Sequence, residues 1–160
     1  MEADLALYHE VSQFLYREAR LQDDHEWDAW EALWTDDGVY WIPANGDDID
    51  PQEQMSILYD NRSRIALRIR QLHTGRRHAQ EPRSRLRRTV SNIEIMEIDG
   101  EELQVASNAM IFESNLRGDT LWSARNEFRL RRVDGAWRMA RKTVFLTNND
   151  KALYTMAFLV

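Results

Sequence analysis

The chain has 160 residues, 27 acids, 21 Lys and Arg, a net charge of −6 and no cysteine. That length is most simply one domain, residues 1–160, and it buries enough surface to need no staple. Without cysteine there are no disulfides, thiolate zinc sites, Cys-ligated iron–sulfur clusters or cysteine nucleophile, and a reducing cytoplasm is the compartment that fits.

The chain opens on an amphipathic pattern from Asp4 to Gln22, with Leu5, Tyr8, Val11, Leu15 and Ala19 on one side. A second helix is expected from Asp24 to Thr35. Trp27, Trp30 and Trp34 form a stripe on it, either as core or as the apolar wall of a ligand pocket. Asp36-Asp37-Gly38 reads as a turn, Val39–Ile42 as a short strand ended by Pro43, and Ala44–Gln54 as an acidic surface loop. Met55–Leu58 adds a second short strand. Asp60 then stands as N-cap of a helix carrying Ile65, Ile69 and Leu72, and Gly75 stands where that helix should stop. Beyond Pro82 the pattern becomes a meander: Leu86–Ile98, Leu103–Ser114, Leu121–Val133 and Trp137–Thr147, separated by Asp-Gly and other Gly turns. The third of these alternates cleanly, with Trp122, Ala124, Phe128 and Leu130 on one face. The first changes phase between Val90 and Ile93, which calls for a bulge that bends the sheet. The apolar end, residues 156–160, is expected to be buried. Helices followed by a curved meander make an α+β order, suited to a cone whose sheet wraps the N-terminal helices.

Charge is segregated along this plan. Residues 1–60 hold sixteen acids against Arg17 and Arg20, a balance of −14. Residues 61–90 hold ten arginines against Glu81, a balance of +9, and the remainder holds ten acids and nine bases, −1. Only Lys142 and Lys151 are lysines. Arginine's planar fork suits carboxylates and interfaces, so this block reads either as a docking face or as the internal counterweight of the acidic half. An acidic chain with no recognised motif is a poor nucleic-acid binder. No apolar run has transmembrane length, and MEADLALYHE is acidic where a signal peptide would be basic, so no membrane partner is expected.

Chemistry is sparse. His9, His25, His73 and His78 show no i, i+4 pair and no HExxH, and there is no phosphate loop or GxSxG elbow. Asp23, Asp24, Asp36 and Asp37 fall at helix ends, where capping accounts for them. A stand-alone enzyme of this fold would have to use His78 or His73 as base with Asp37 or Tyr40 as partner, in a pocket lined by Trp27, Trp30, Trp34, Tyr40 and Trp122. An isomerase, dehydratase, cyclase or ligand-binding cone is therefore the alternative reading.

The stretch from Tyr59 to Ile95 resembles the signature of the small (beta) subunits of Rieske-type aromatic-ring-hydroxylating dioxygenases. The residues that carry the likeness are Tyr59-Asp60, Arg62, Arg68-Ile69, Leu72, Thr74-Gly75, Pro82, Ser84-Arg85, Arg87 and Val90-Ser91-Asn92-Ile93. The opening YREARLQDDHEWDAWEALWTDDGVYWIP and the apolar end are similar too, so the likeness spans nearly the whole chain. Arg83 stands where a second proline is frequent, and Arg88 where His is common.

The resemblance implies the cone-shaped α+β fold shared with nuclear transport factor 2 and scytalone dehydratase. It implies a structural subunit without metal, cofactor or catalytic residues of its own. Three such subunits would form a trimer that carries three large (alpha) subunits, an α3β3 hexamer. The alpha subunit would hold the Rieske [2Fe–2S] cluster and a mononuclear Fe(II), and electrons from NADH would reach it through a reductase, with or without a ferredoxin. The complex would add both atoms of O2 to an aromatic ring, giving a cis-dihydrodiol. A chain without cysteine cannot ligate a Rieske cluster itself. Tyr59, Asp60, Arg62, Arg68, Arg85, Arg87 and Arg88 are then the candidates for subunit contacts, with Asp23, Asp24 or Asp60 as possible partners for some of these arginines inside the subunit.

Overall fold

A computed structural model describes residues 5–44, 47, 50, 56–74, 83–148 and 159–160. Helix α1 (Leu5–Asp23) begins clear of the core: Leu5 is 87% exposed and Tyr8 43%. The expectation that both share the buried face is corrected, because the packed face starts with half-buried Leu7 and with Val11, then runs through Phe14, Leu15, Glu18 and Ala19.

The second expected helix is only five residues long, α2 (Trp27–Glu31). It stops because the next residues are recruited into the sheet: Met139 N–H donates to the Leu33 carbonyl at 2.7 Å, and Trp34 already pairs with Met139. Strand β1 (Trp34–Pro43) therefore absorbs the expected Asp36–Gly38 turn as an irregularity between Trp34 and Val39. Gly38 is required there, since a Cβ would lie 2.6 Å from the Trp34 ring.

Strand β2 (Ser56–Asp60) is antiparallel to β1, and α3 (Arg62–His73) follows it. Its cap is Asn61 rather than Asp60. The Asn61 side chain accepts the Arg64 N–H at 3.0 Å, while Asp60 ends β2, buried and bound to Arg68. Gly75, like Asn45-Gly46, Met55, His78 and Pro82, lies outside the described residues.

The meander forms as β3 (Arg85–Asp99), β4 (Glu102–Asn115), β5 (Gly118–Val133) and β6 (Ala136–Leu146). The sheet order is β2-β1-β6-β5-β4-β3, antiparallel except for the β1–β6 pair. The bulge in β3 falls between Ser91 and Glu94, with Asn92 at φ 52°. Asp134 and Gly135 both take positive φ, as a tight hairpin turn demands. One face of the sheet packs against the helices, and α1 lies along β3.

Candidate functional site

A ligand-binding cone needs space in its interior. Trp27, Trp30, Trp34 and Tyr40 are buried and pack ring to ring, with centroids 5.7–5.8 Å apart and mostly edge to face. Trp122 is buried as well, its indole N–H donating to Glu113 Oε1 at 3.1 Å. All five tryptophan and tyrosine candidates for a pocket wall thus belong to the hydrophobic core.

A polar seam runs through that core. Lys142 of β6 donates to Glu18 of α1 at 2.8 Å and to the Gln22 side-chain oxygen at 3.3 Å. Glu18 also accepts the Trp30 indole N–H at 2.8 Å. Burial pulls the Lys142 ammonium below its ordinary range, and the Glu18 carboxylate opposes that shift. Burial pushes the Tyr40 phenol far above its ordinary range, so it acts as a donor, here to the Val160 main-chain oxygen. Arg88 grips Asp23 through both its side chain and its main-chain N–H, and its second amino group reaches the Leu159 carbonyl at 2.6 Å.

Sequence spacing carried a signal for this seam that residue type hid. Glu18 falls seven residues after Val11 and three after Leu15, on the packed face. Lys142 sits between Ala140 and Val144 at the buried parity of β6. An acid and a base at core positions of two elements are mutual partners in waiting.

The arginine block divides. Arg62 pairs with Glu31 at 2.8 Å, Arg68 binds Asp60, and Arg88 binds Asp23 with only 3% of its side chain exposed. Tyr59 lies half-buried with its ring against Trp41. Arg83, Arg85 and Arg87 are exposed, and among the described residues they have no ion-pair partner. Strand alternation sorts them: Leu86 and Arg88 point in, Arg85 and Arg87 point out.

On that outer face the register places Arg87 opposite Phe112, and Phe112 opposite Leu121; Thr89, Met110 and Ser123 form the next row. Phe112 is 48% exposed, Met110 48% and Leu121 59%. A cleft of about 690 Å³ lies beside this edge, lined by Arg83, Arg85, Arg87 and Phe112 together with Asp24 and His25. Its wall is stiffened by Glu113, which accepts from Ser84 Oγ at 2.6 Å, while a ring nitrogen of His25 lies 2.8 Å from the Ser84 carbonyl. An apolar strip bordered by guanidiniums without an ion-pair partner among the described residues, at a sheet edge, is suited to a protein surface that offers carboxylates.

The residues proposed for stand-alone chemistry are not gathered. His73 pairs with Asp28 on the surface, Asp37 pairs with Arg131, and Tyr40 is in the core. His78 lies outside the described residues. Among the described residues no group of three or more His, Asp or Glu could hold a metal ion.

Comparison with known proteins gives the family. A family described as the ring-hydroxylating beta subunit matches residues 17–150. The chain belongs to that family. The small oxygenase component of the p-cumate 2,3-dioxygenase system of Pseudomonas putida is 36% identical over 139 residues, 86% of this chain and 77% of the relative. The anthranilate 1,2-dioxygenase small subunit of Acinetobacter baylyi is 30% identical over 152 residues, 91% and 92% of the two chains. The crystal structure of the benzoate 1,2-dioxygenase beta subunit of Burkholderia mallei superimposes with a TM-score of 0.78 at 28% identity, covering 99% of this chain and 100% of that one. The fold is the cone-shaped α+β fold of nuclear-transport-factor-2-like proteins. As a ring-hydroxylating beta subunit, the chain is the small component of a dioxygenase that works with a large oxygenase subunit. No helix among the described residues is long and apolar enough to cross a membrane.

Proposed function

We propose that this beta subunit is a scaffold whose outer β3 edge docks the large subunit, in an α3β3 hexamer built on a beta trimer. The observation that carries the reading is the pair of exposed arginines Arg85 and Arg87, without an ion-pair partner among the described residues, with Arg87 in register with exposed Phe112 and Leu121. Guanidinium–carboxylate pairs formed as such an edge is desolvated are the strong kind. The Rieske cluster and the mononuclear iron belong to the large subunit, fed by a reductase with or without a ferredoxin, in the cytoplasm. The ring-packed interior supports scaffolding over a stand-alone isomerase, dehydratase or binding cone.

The substrate class follows the relatives. p-Cumate, anthranilate and benzoate are all aromatic carboxylates, so the assembled dioxygenase is expected to act on an aromatic carboxylate, with the large subunit setting the choice. The test is sedimentation of the chain with its large subunit. Wild type should co-sediment as a hexamer, and the double variant Arg85→Glu/Arg87→Glu should separate. Unchanged co-sedimentation of a folded double variant would remove the docking reading.

A further inference from the structure

Three donors from three elements converge on the last two residues. Arg88 of β3 and Gln22 of α1 both donate to the Leu159 carbonyl, at 2.6 and 3.3 Å, and the Tyr40 hydroxyl of β1 donates to the Val160 oxygen. Gln22 and Tyr40 are wholly buried, and the Arg88 side chain is 3% exposed. The side chains of Leu159 and Val160 join the hydrophobic core beside them. Donors this deep need acceptors, because an unmet polar group out of reach of water is costly.

From this convergence we propose that the buried cleft between α1, β1 and β3 is a peptide-binding seat, built for two successive main-chain oxygens flanked by aliphatic side chains. Its occupant is the chain's own Leu159–Val160. One dipeptide thereby ties α1, β1 and β3 together. The seat also reaches the sheet edge, because Arg88 holds Asp23 as well as the tail and is the chain neighbour of outward-facing Arg87. A seated tail fixes the strand that presents the docking arginines; this second link rests on the docking reading, whereas the seat does not.

The seat is tested on the 160-residue chain with no partner present. Carboxypeptidase digestion reads how often the tail leaves its seat, compared with a free peptide of the sequence 149–160. Wild type should lose Val160 and Leu159 at least roughly 100-fold more slowly than the peptide. Tyr40→Phe removes a hydrogen bond to the Val160 oxygen, a carboxylate oxygen in the chain assayed, and should raise release on the order of tenfold or more; Gln22→Met removes a neutral one and should raise it about three- to tenfold. Wild-type release within about threefold of the free peptide would overturn the seat whatever the variants do. So would a protected wild type whose two variants, folded by circular dichroism, release no faster. The link to the edge is read separately: Tyr40→Phe should weaken co-sedimentation with the large subunit several-fold. Faster release with unchanged association would overturn the link. If the docking reading itself fails, Arg85→Glu/Arg87→Glu will show it without touching the release assay.

Discussion

Arg87 and Arg88 are adjacent in the chain and end in opposite surroundings. Arg88 turns inward to a buried carboxylate and a main-chain oxygen, and Arg87 turns outward beside Phe112 with no partner among the described residues. The same contrast separates the two charged regions of the molecule. The interior seam of Glu18, Gln22, Lys142, Asp23 and Arg88 is satisfied within the subunit, whereas the outward arginines of β3 have no ion-pair partner among the described residues. The difference teaches that a charge block is not one feature. Strand parity assigns some members to the stability of the fold and leaves others for a partner.

The comparison breaks first at its interior end. Lys142→Met should cost on the order of 3–5 kcal/mol in urea unfolding, because Glu18 is left buried without its cation. Adding Glu18→Gln should recover most of the loss, since a neutral amide still offers an oxygen to the Trp30 indole. A silent single variant would show that the seam contributes nothing. The pH dependence has a definite sign. Burial lowers the Lys142 pKa below 10.5, so the unfolded chain binds this proton more tightly. Its penalty is complete below the lowered folded value and fades as pH rises to 10.5, so Lys142→Met should flatten the alkaline side of the stability curve.

The outer edge should behave in the opposite way. Arg85→Glu/Arg87→Glu should leave the free subunit's stability within about 0.5 kcal/mol of wild type. Association with the large subunit should weaken by on the order of 2–5 kcal/mol, measured by titration of the labelled subunit. A large loss of stability with intact association would reverse the assignment of the two regions. Arg68→Ala sits between them, because its guanidinium is 30% exposed while the Asp60 carboxylate is 3% exposed. Its expected cost is about 1–3 kcal/mol in the free subunit, the cost of leaving a buried acceptor unmet.

Much of the architecture was legible before these contacts were known. The meander could be read because alternation and Asx-Gly turns are local signals, and even the β3 bulge showed as a phase slip between Val90 and Ile93. What failed depended on partners that residue order alone does not assign. Trp34 leaves its helix because β6, more than a hundred residues later, offers Met139. Asp60 gives up the cap to Asn61 because its carboxylate is claimed by Arg68 across the α3 turn. Among the candidate interface residues, Arg68 and Arg88 have buried partners in their own chain, which composition could only offer as one of two possibilities. The interior seam was missed because Glu18 and Lys142 look like surface residues until their parity is set against the core.

The smallest expected effect belongs to a pair that resembles the seam in chemistry and the edge in exposure. Asp37 receives both terminal nitrogens of Arg131 at 2.9 and 3.3 Å and the Thr35 hydroxyl at 2.7 Å, yet its side chain is 67% exposed. The Arg131 hydrogen bonds, then that of Thr35, hold its carboxyl below the ordinary 3.8. A depressed carboxylate stabilises fully above the unfolded value and loses that contribution as pH falls through the folded one. Asp37→Asn should therefore cost less than about 1 kcal/mol at neutral pH, because solvent screens the pair and Arg131 keeps Glu102 at 2.9 Å. The difference from wild type should shrink with added salt and vanish once the pH is below the folded value. A difference as large as that of Lys142→Met, or one insensitive to salt, would show that exposure is not what separates the weak pairs of this subunit from the strong ones.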